Sequence, residues 1–463
     1  MNKQKIYPKW IYIAFPAVAM MLGWGLRGHI GGGPYGAMIP GAMIALCMSL
    51  LLELPAGAAS FLVVFGVIGI GLGGEMTYGQ TLGFLRSPET VWWGTAGTTL
   101  KGAVWGLLGG AVLALGFFFR STPRKVLVWA FLLMIAGIIL GFKLINDPML
   151  LYFSDRAKPR AESWAGLLLG AVFLLVYLKL KLSSGHFKII LRFAFWGMIG
   201  GGLGFGLGGF WLVLGSRLQG LIYTDWWKAM EFTFGLLLGA SLGYATWLSR
   251  NDLAFLKKDG LSAEETVFPG WKELMVGLGT GLLIFWVLPL LIEGLGNVKL
   301  DNNMPGGSLK NEVIRLVDNY SVTGLIFILV LMRYPKAAWQ IGITLTFSHT
   351  AIDLFRDFYP ETNFASAFTM HFLWVLLTTV TVALLVAYFE RRNRNIQHLF
   401  LVLIWSCIGS SVLRMFVHPG NFNVAGLSFC QGVCGRFIVD IIFVVSAIVL
   451  TVFIQRKFRV EGK

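Results

Sequence analysis

Charge is what this chain has least of. Of its 463 residues only 13% are Asp, Glu, Lys or Arg, 56% are hydrophobic, and the mean hydropathy is +0.72. So few charges cannot cover the surface of a water-soluble fold of this length, so lipid must be the solvent around most of it. Cysteine is also scarce. Cys47, Cys407, Cys430 and Cys434 are the only four, too few for a disulfide scaffold, and Cys430 with Cys434 lacks the companion ligands of a zinc site. They read as small hydrophobes on helix surfaces.

Alternating apolar and polar stretches are missing too. Runs such as VLVWAFLLMIAGIILGF at 126–142 are continuous, which excludes a lipid-facing β-barrel and leaves an all-α fold, a polytopic transmembrane helical bundle. There is no P-loop, no dinucleotide-binding fingerprint and no HExxH, so ATP-driven transport within this chain is excluded and neither cofactor nor metal is expected. No long soluble domain interrupts the apolar runs; the largest polar segment is RNDLAFLKKDGLSAEETVFPG at 250–270.

What is present is a series of apolar segments near the ~20 residues that a helix needs to cross hydrocarbon. Cutting at the polar breaks gives about fourteen, at 10–26, 36–52, 57–74, 97–119, 126–145, 163–180, 190–210, 229–249, 272–294, 314–332, 337–355, 367–389, 398–416 and 436–455. The first two are short enough to be partly re-entrant. The first run continues into Arg27 and His29 without a small-residue cleavage site, so it reads as a retained helix rather than a signal peptide.

An even number of spans puts both termini on one side. The segments of that side, 1–9, 120–125, 179–192, 250–272, 333–336, 391–394 and 456–463, hold 23 of the 38 basic residues, and the side holds only 8 of the 23 acidic ones. The whole net charge of +15 therefore sits on one face, and retention of Lys and Arg on the cytoplasmic side makes both termini cytoplasmic in a plasma (inner) membrane. Topology and anionic headgroups explain the high pI, so no nucleic-acid partner is expected. Oligomeric state is not legible.

Repetition supports the same segmentation. Residues 162–171 read ESWAGLLLGA and 231–240 read EFTFGLLLGA, while GWGLRG at 23–28, GIGLGG at 69–74 and GFGLGG at 204–209 rhyme. Gly102, Gly106 and Gly110, like Gly235, Gly239 and Gly243, give small residues four apart, the spacing that lets two helix backbones approach closely. These features describe repeated helical hairpins: an N-terminal membrane half of four at 1–249, a cytoplasmic linker at 250–270 and a C-terminal half of three at 271–463.

Polar residues at membrane depth are candidate functional groups. Arg27 and His29 precede Gly31–Gly33 and Pro34, a helix break whose free backbone amides and cation favour an anion. Glu75, Tyr78, Gln80 and Arg86 follow the second break, with Glu75 as the natural counter-charge of Arg27. Arg217 and Arg414 join the candidate anion-binding set of Arg27, His29, Glu75, Tyr78 and Gln80. Glu162 and Glu231 open equivalent helices, where a carboxylate also serves as an N-terminal cap. His349, Asp353 and Asp357 recur at i, i+4 and i+8 on one helix face; with His371 they form a candidate proton relay or ion-coupling group.

Two function classes fit. The first is a secondary transporter, coupled to protons or sodium, for a small polar or anionic solute such as a sugar acid or other carboxylate. The alternative is a polytopic membrane enzyme of the transferase or hydrolase class, whose outward His, Asp, Glu and Arg act on a periplasmic or lipid-linked substrate. A structural subunit of a larger membrane assembly is the third possibility.

Overall fold

The computed structural model describes residues 7–218, 225–257, 270–295, 317–358, 364–392, 394–417 and 429–458. Among these the chain is helical without strands, and twelve helices are long and apolar enough to cross a membrane. The protein is a multi-pass all-α bundle. The first two spans, Lys9–Ile30 and Gly33–Leu51, reach 22 and 19 residues, longer than the apolar runs in the sequence because the chain stays helical beyond its polar ends.

The order begins with α1 (Lys9–Ile30), the single turn α2 (Gly33–Gly36), α3 (Met38–Leu51), α4 (Ala56–Leu72), the short α5 (Gly79–Gly83) and α6 (Val91–Leu115). Then come α7 (Arg124–Gly141), α8 (Trp164–Lys181), α9 (Ser184–Arg217) and α10 (Trp226–Ser249). The remainder comprises α11 (Gly270–Leu282), α12 (Leu288–Leu295), α13 (Tyr320–Arg333), α14 (Leu345–Phe358), α15 (Phe364–Glu390), α16 (Asn395–Val417) and α17 (Phe429–Lys457). Polar caps mark several starts. Ser183 accepts from the His186 amide, Asp225 from the Lys228 amide and Asn319 from the Ser321 amide, each satisfying a donor that the first turn leaves free.

Two glycine stripes set the centre of the bundle. On α6, a methyl at Gly102, Gly106 or Gly110 would collide with the carbonyls of Gly201, Gly197 or Phe193 on α9. On α10, Gly235, Gly239 and Gly243 meet the carbonyls of Met20, Pro16 and Tyr12 on α1 in the same way. Backbones this close gain dispersion along their whole length, the route to helix association when lipid is as apolar as the side chains. Every residue of α3 is buried, so this helix runs through the interior.

Lipid-facing positions lie at the perimeter. Ile139 on α7, Val176 on α8, Leu377 and Leu384 on α15, and Ile441, Val445 and Ile448 on α17 are exposed at 41–55%. Bands of exposed large aliphatics are unfavourable in water and expected against acyl chains. The burial pattern thus separates a polar-tolerant interior from an apolar rim.

Candidate functional site

The site is built around the first helix break. α1 ends where Gly31 adopts an extended conformation, and Gly33 has φ +70°, in the left-handed region that only glycine enters without strain. The chain then makes the single turn α2 and re-enters the bundle as α3. The second break nests into the first: a methyl on Gly74 would strike Pro34 and the Gly33 carbonyl, and one on Gly73 would strike the Trp105 indole. Glycine is required at both positions by close approach rather than by φ. The backbone here is partly open, with Gly28, Gly32 and Gly79 exposed and free space where a side chain on Gly32 would point.

Arg27 lies one turn before this break and is only 2% exposed. One guanidinium nitrogen donates to the Tyr78 hydroxyl, and another approaches the Gly33 carbonyl at 3.4 Å. The rings of Trp24, Tyr78 and Trp105 surround the cation at 5.5–5.6 Å, an arrangement that lowers the cost of burying it but leaves its charge in place. Among the described residues no carboxylate comes within 4.0 Å of Arg27, and its Nε is buried without an acceptor. Burying an ion without a counter-ion costs several kcal/mol.

Beside Arg27 lies a second cation with its own carboxylate. Lys228 Nζ donates to Glu231 Oε2 at 2.5 Å and Trp227 Nε1 donates to Glu231 Oε1 at 3.1 Å. Lys228 and Glu231 are 5% and 1% exposed. Glu231 rests directly on the backbone of Gly28, where any methyl would collide with both carboxylate oxygens. Trp227 stacks on Tyr78 with centroids 6.1 Å apart. Hairpins that are distant in the chain thus meet at Arg27, Gly28, Tyr78, Trp227, Lys228 and Glu231.

The other flank of the break is acidic. Glu75, the expected counter-charge of Arg27, instead accepts from the Tyr320 amide at 2.6 Å on Oε1. Among the described residues Glu75 and Arg27 make no ion pair within 4.0 Å, and the two groups have different hydrogen-bond partners. Tyr35 stacks on His349 at 5.1 Å and bonds Thr323 Oγ1 at 3.0 Å through its hydroxyl. His349 Nδ1 lies 3.3 Å from Asp353 Oδ2, with Arg356 3.7 Å from the other oxygen. The Asp353 carboxylate packs against Gly31, where a methyl would overlap it.

The remaining expected site residues divide by role. Gln80 ties down a loop, donating to the Lys158 carbonyl at 2.9 Å and accepting from the Asp155 amide at 3.1 Å. Arg217 is exposed at the end of α9, apart from the Arg27 contacts. Arg414 donates to the carbonyls of His29 and Ile30, 3.0 Å for the latter, and so caps the C-terminal end of α1, where carbonyls have no helical partner. The His29 ring meets Phe443 at 5.6 Å. The side chains of Asp357 and His371 lie outside the described residues, as do those of Cys430 and Cys434.

Lys228, Trp24, Trp105, Trp227, Tyr35 and Lys101 were not singled out from sequence. Lys101 and Lys228 carried a usable signal, each being a lone lysine within an apolar helix. The aromatic residues carried none, because tryptophan is equally at home in an interfacial belt. No protein-family model, curated protein or solved structure matches this chain.

Proposed function

We propose that this multi-pass protein is a secondary transporter of a small anionic solute, which binds at the first helix break with Arg27 as its principal cation. The observation that carries the reading is the buried Arg27 guanidinium, which has no carboxylate within 4.0 Å among the described residues. An anion supplied from solution removes that imbalance, and the open backbone at Gly28, Gly32 and Gly79 leaves it an approach. Broken helices that meet inside the bundle are a recurrent framework for solute sites in transporters.

His349 and Asp353 lie on the opposite flank of the same break. A titratable pair there is suited to coupling anion movement to a proton, because imidazole changes charge near neutral pH. The expected solute is a carboxylate, whose two oxygens match the planar donors of a guanidinium. Purified protein in liposomes should take up a labelled monocarboxylate faster under an inward proton gradient. Arg27→Ala should remove that uptake at unchanged protein yield. Normal flux in the variant would take Arg27 out of the site.

One observation favours an enzyme as the second reading. His349, Asp353 and the stacked Tyr35 have the geometry of an oriented general base. Loss of chemical turnover in His349→Gln with no solute flux in the parent protein would select that reading.

A further inference from the structure

We infer that Glu231 sets the valence of the bound anion, so that the site takes monovalent anions and rejects divalent ones. This inference rests on the anion-binding reading above. Two buried cations and one buried carboxylate are joined here through a chain of contacts: Lys228 to Glu231, Glu231 to the Gly28 backbone next to Arg27, and Trp227 from Glu231 to Tyr78, the acceptor of Arg27. Their sum among the described residues is a single positive charge. Glu75 is not part of this set: it makes no ion pair within 4.0 Å with either cation, and its Oε1 accepts from the Tyr320 amide on the other flank.

The pair is not a closed structural unit. The Lys228 ammonium has three N–H donors and is 5% exposed, yet among the described residues its hydrogen-bond partner is Glu231 alone. The Tyr78 hydroxyl accepts from Arg27 and keeps its own proton to donate. An arriving anion thus finds donors on Arg27, Lys228 and Tyr78, with one fixed negative charge beside them. One anionic charge leaves the set neutral. A second would be placed next to Glu231 in a poorly screened interior, where like charges repel strongly.

The test is a charge series in the full-length protein: parent, Glu231→Gln, Lys228→Gln, and the double variant. Local charge in this series runs from single positive through double positive and neutral back to single positive. Binding is read as the concentration-dependent shift of the thermal unfolding midpoint in detergent, at neutral pH and constant ionic strength. The probes are lactate and succinate, with chloride and sulfate as a second pair of the same valences.

The parent should prefer the monovalent member of each pair by about tenfold or more. Glu231→Gln should reverse that preference, Lys228→Gln should weaken binding of monovalent anions, and the double variant should recover the parent's preference. A purely structural role for the pair would lower stability in the single variants without moving the preference. If the parent binds anions and all folded variants keep one order of preference, the valence inference is overturned while Arg27 remains an anion site. If the parent binds none of the four probes, the anion-binding reading falls and the inference with it. Should Glu231→Gln not fold, the double variant against Lys228→Gln decides: equal weakness toward monovalent anions in both overturns it.

Discussion

Among the described residues, Lys101–Glu162 and Lys228–Glu231 are buried lysine–glutamate pairs, and both carboxylates open the same Glu-x-x-x-Gly-Leu-Leu-Leu-Gly-Ala string. They are in different chemical situations. Lys101 has an acceptor for each of its three hydrogens: Glu162 Oε1 at 2.7 Å, the Thr77 carbonyl at 2.7 Å and Thr81 Oγ1 at 2.8 Å. Glu162 also accepts from the Phe153 amide at 3.1 Å and from Ser154 Oγ at 2.8 Å. Lys228–Glu231 has one further donor, Trp227, and otherwise faces Gly28 and the helix break. The first pair is complete within the protein, and the second is part of a charge set that is not.

Completeness follows from where the lysine comes from. Lys101 reaches Glu162 from another helix and brings the 150–162 loop with it, so the pair works as a staple across hairpins. Lys228 lies three residues before Glu231 on the same α10, so it fastens nothing between helices. Its ammonium, paired with Glu231, has two further N–H donors. A closed polar network rigidifies, whereas a partly satisfied one at a helix break is where a ligand has most to offer.

The largest effect that would break this comparison concerns stability. Glu162→Gln should lower the free energy of unfolding by about 3–5 kcal/mol, because Lys101 is left buried without its counter-ion. Glu231→Gln also leaves Lys228 without its counter-ion, at a cost of the same order, but beside the proposed anion site, where a bound anion can take the carboxylate's place. Thermal unfolding in detergent checks both, and added lactate should stabilise Glu231→Gln without recovering Glu162→Gln. Equal losses in the two variants with lactate present would mean that both pairs are staples.

Smaller changes sharpen the contrast. Gly28→Ala forces a methyl into the Glu231 carboxylate and should destabilise by about 1–3 kcal/mol while removing the midpoint shift caused by lactate. Thr81→Val withdraws one acceptor from Lys101 at a cost of about 1–3 kcal/mol, and the lactate response should remain. Gly32→Ala is the smallest: its φ is −78° and nothing lies within 4 Å of the added methyl, so stability should stay within about 0.5 kcal/mol. A large loss there would mean that the break is filled rather than open.

Much of the architecture was legible in the chain. Apolar run length located the helices, because 1.5 Å per residue against a bilayer about 30 Å thick leaves little freedom. Glycine spacing identified the faces of α6 and α10 that meet other helices, since a stripe four apart always lies along one side. Arg27 stood out because its counterparts in the rhyming strings are Gly73 and Gly208. The pairing of charges was less legible. Glu75 looked like the partner of Arg27 because both follow equivalent glycine breaks, but the Tyr320 amide, 245 residues away, claims its Oε1.

Arg414 shows the same limit differently. Its charge near the break reads as solute binding in sequence, yet it ends on the carbonyls of His29 and Ile30. Helix ends leave acceptors that carry no mark in the residue types around them. An arginine that caps and an arginine that binds an anion are identical as letters.

By itself, then, the chain determined its solvent, its secondary structure and the faces through which its helices touch, because burial in lipid, backbone hydrogen bonding and glycine spacing act locally or periodically. Tertiary structure alone decided which buried charges neutralise one another and which do not. Ion pairing depends on a few ångströms between groups hundreds of residues apart, and a low-dielectric interior makes those ångströms decisive. Among the described residues Arg27 has no carboxylate within 4.0 Å for that reason, and its isolation is what the proposed anion site rests on.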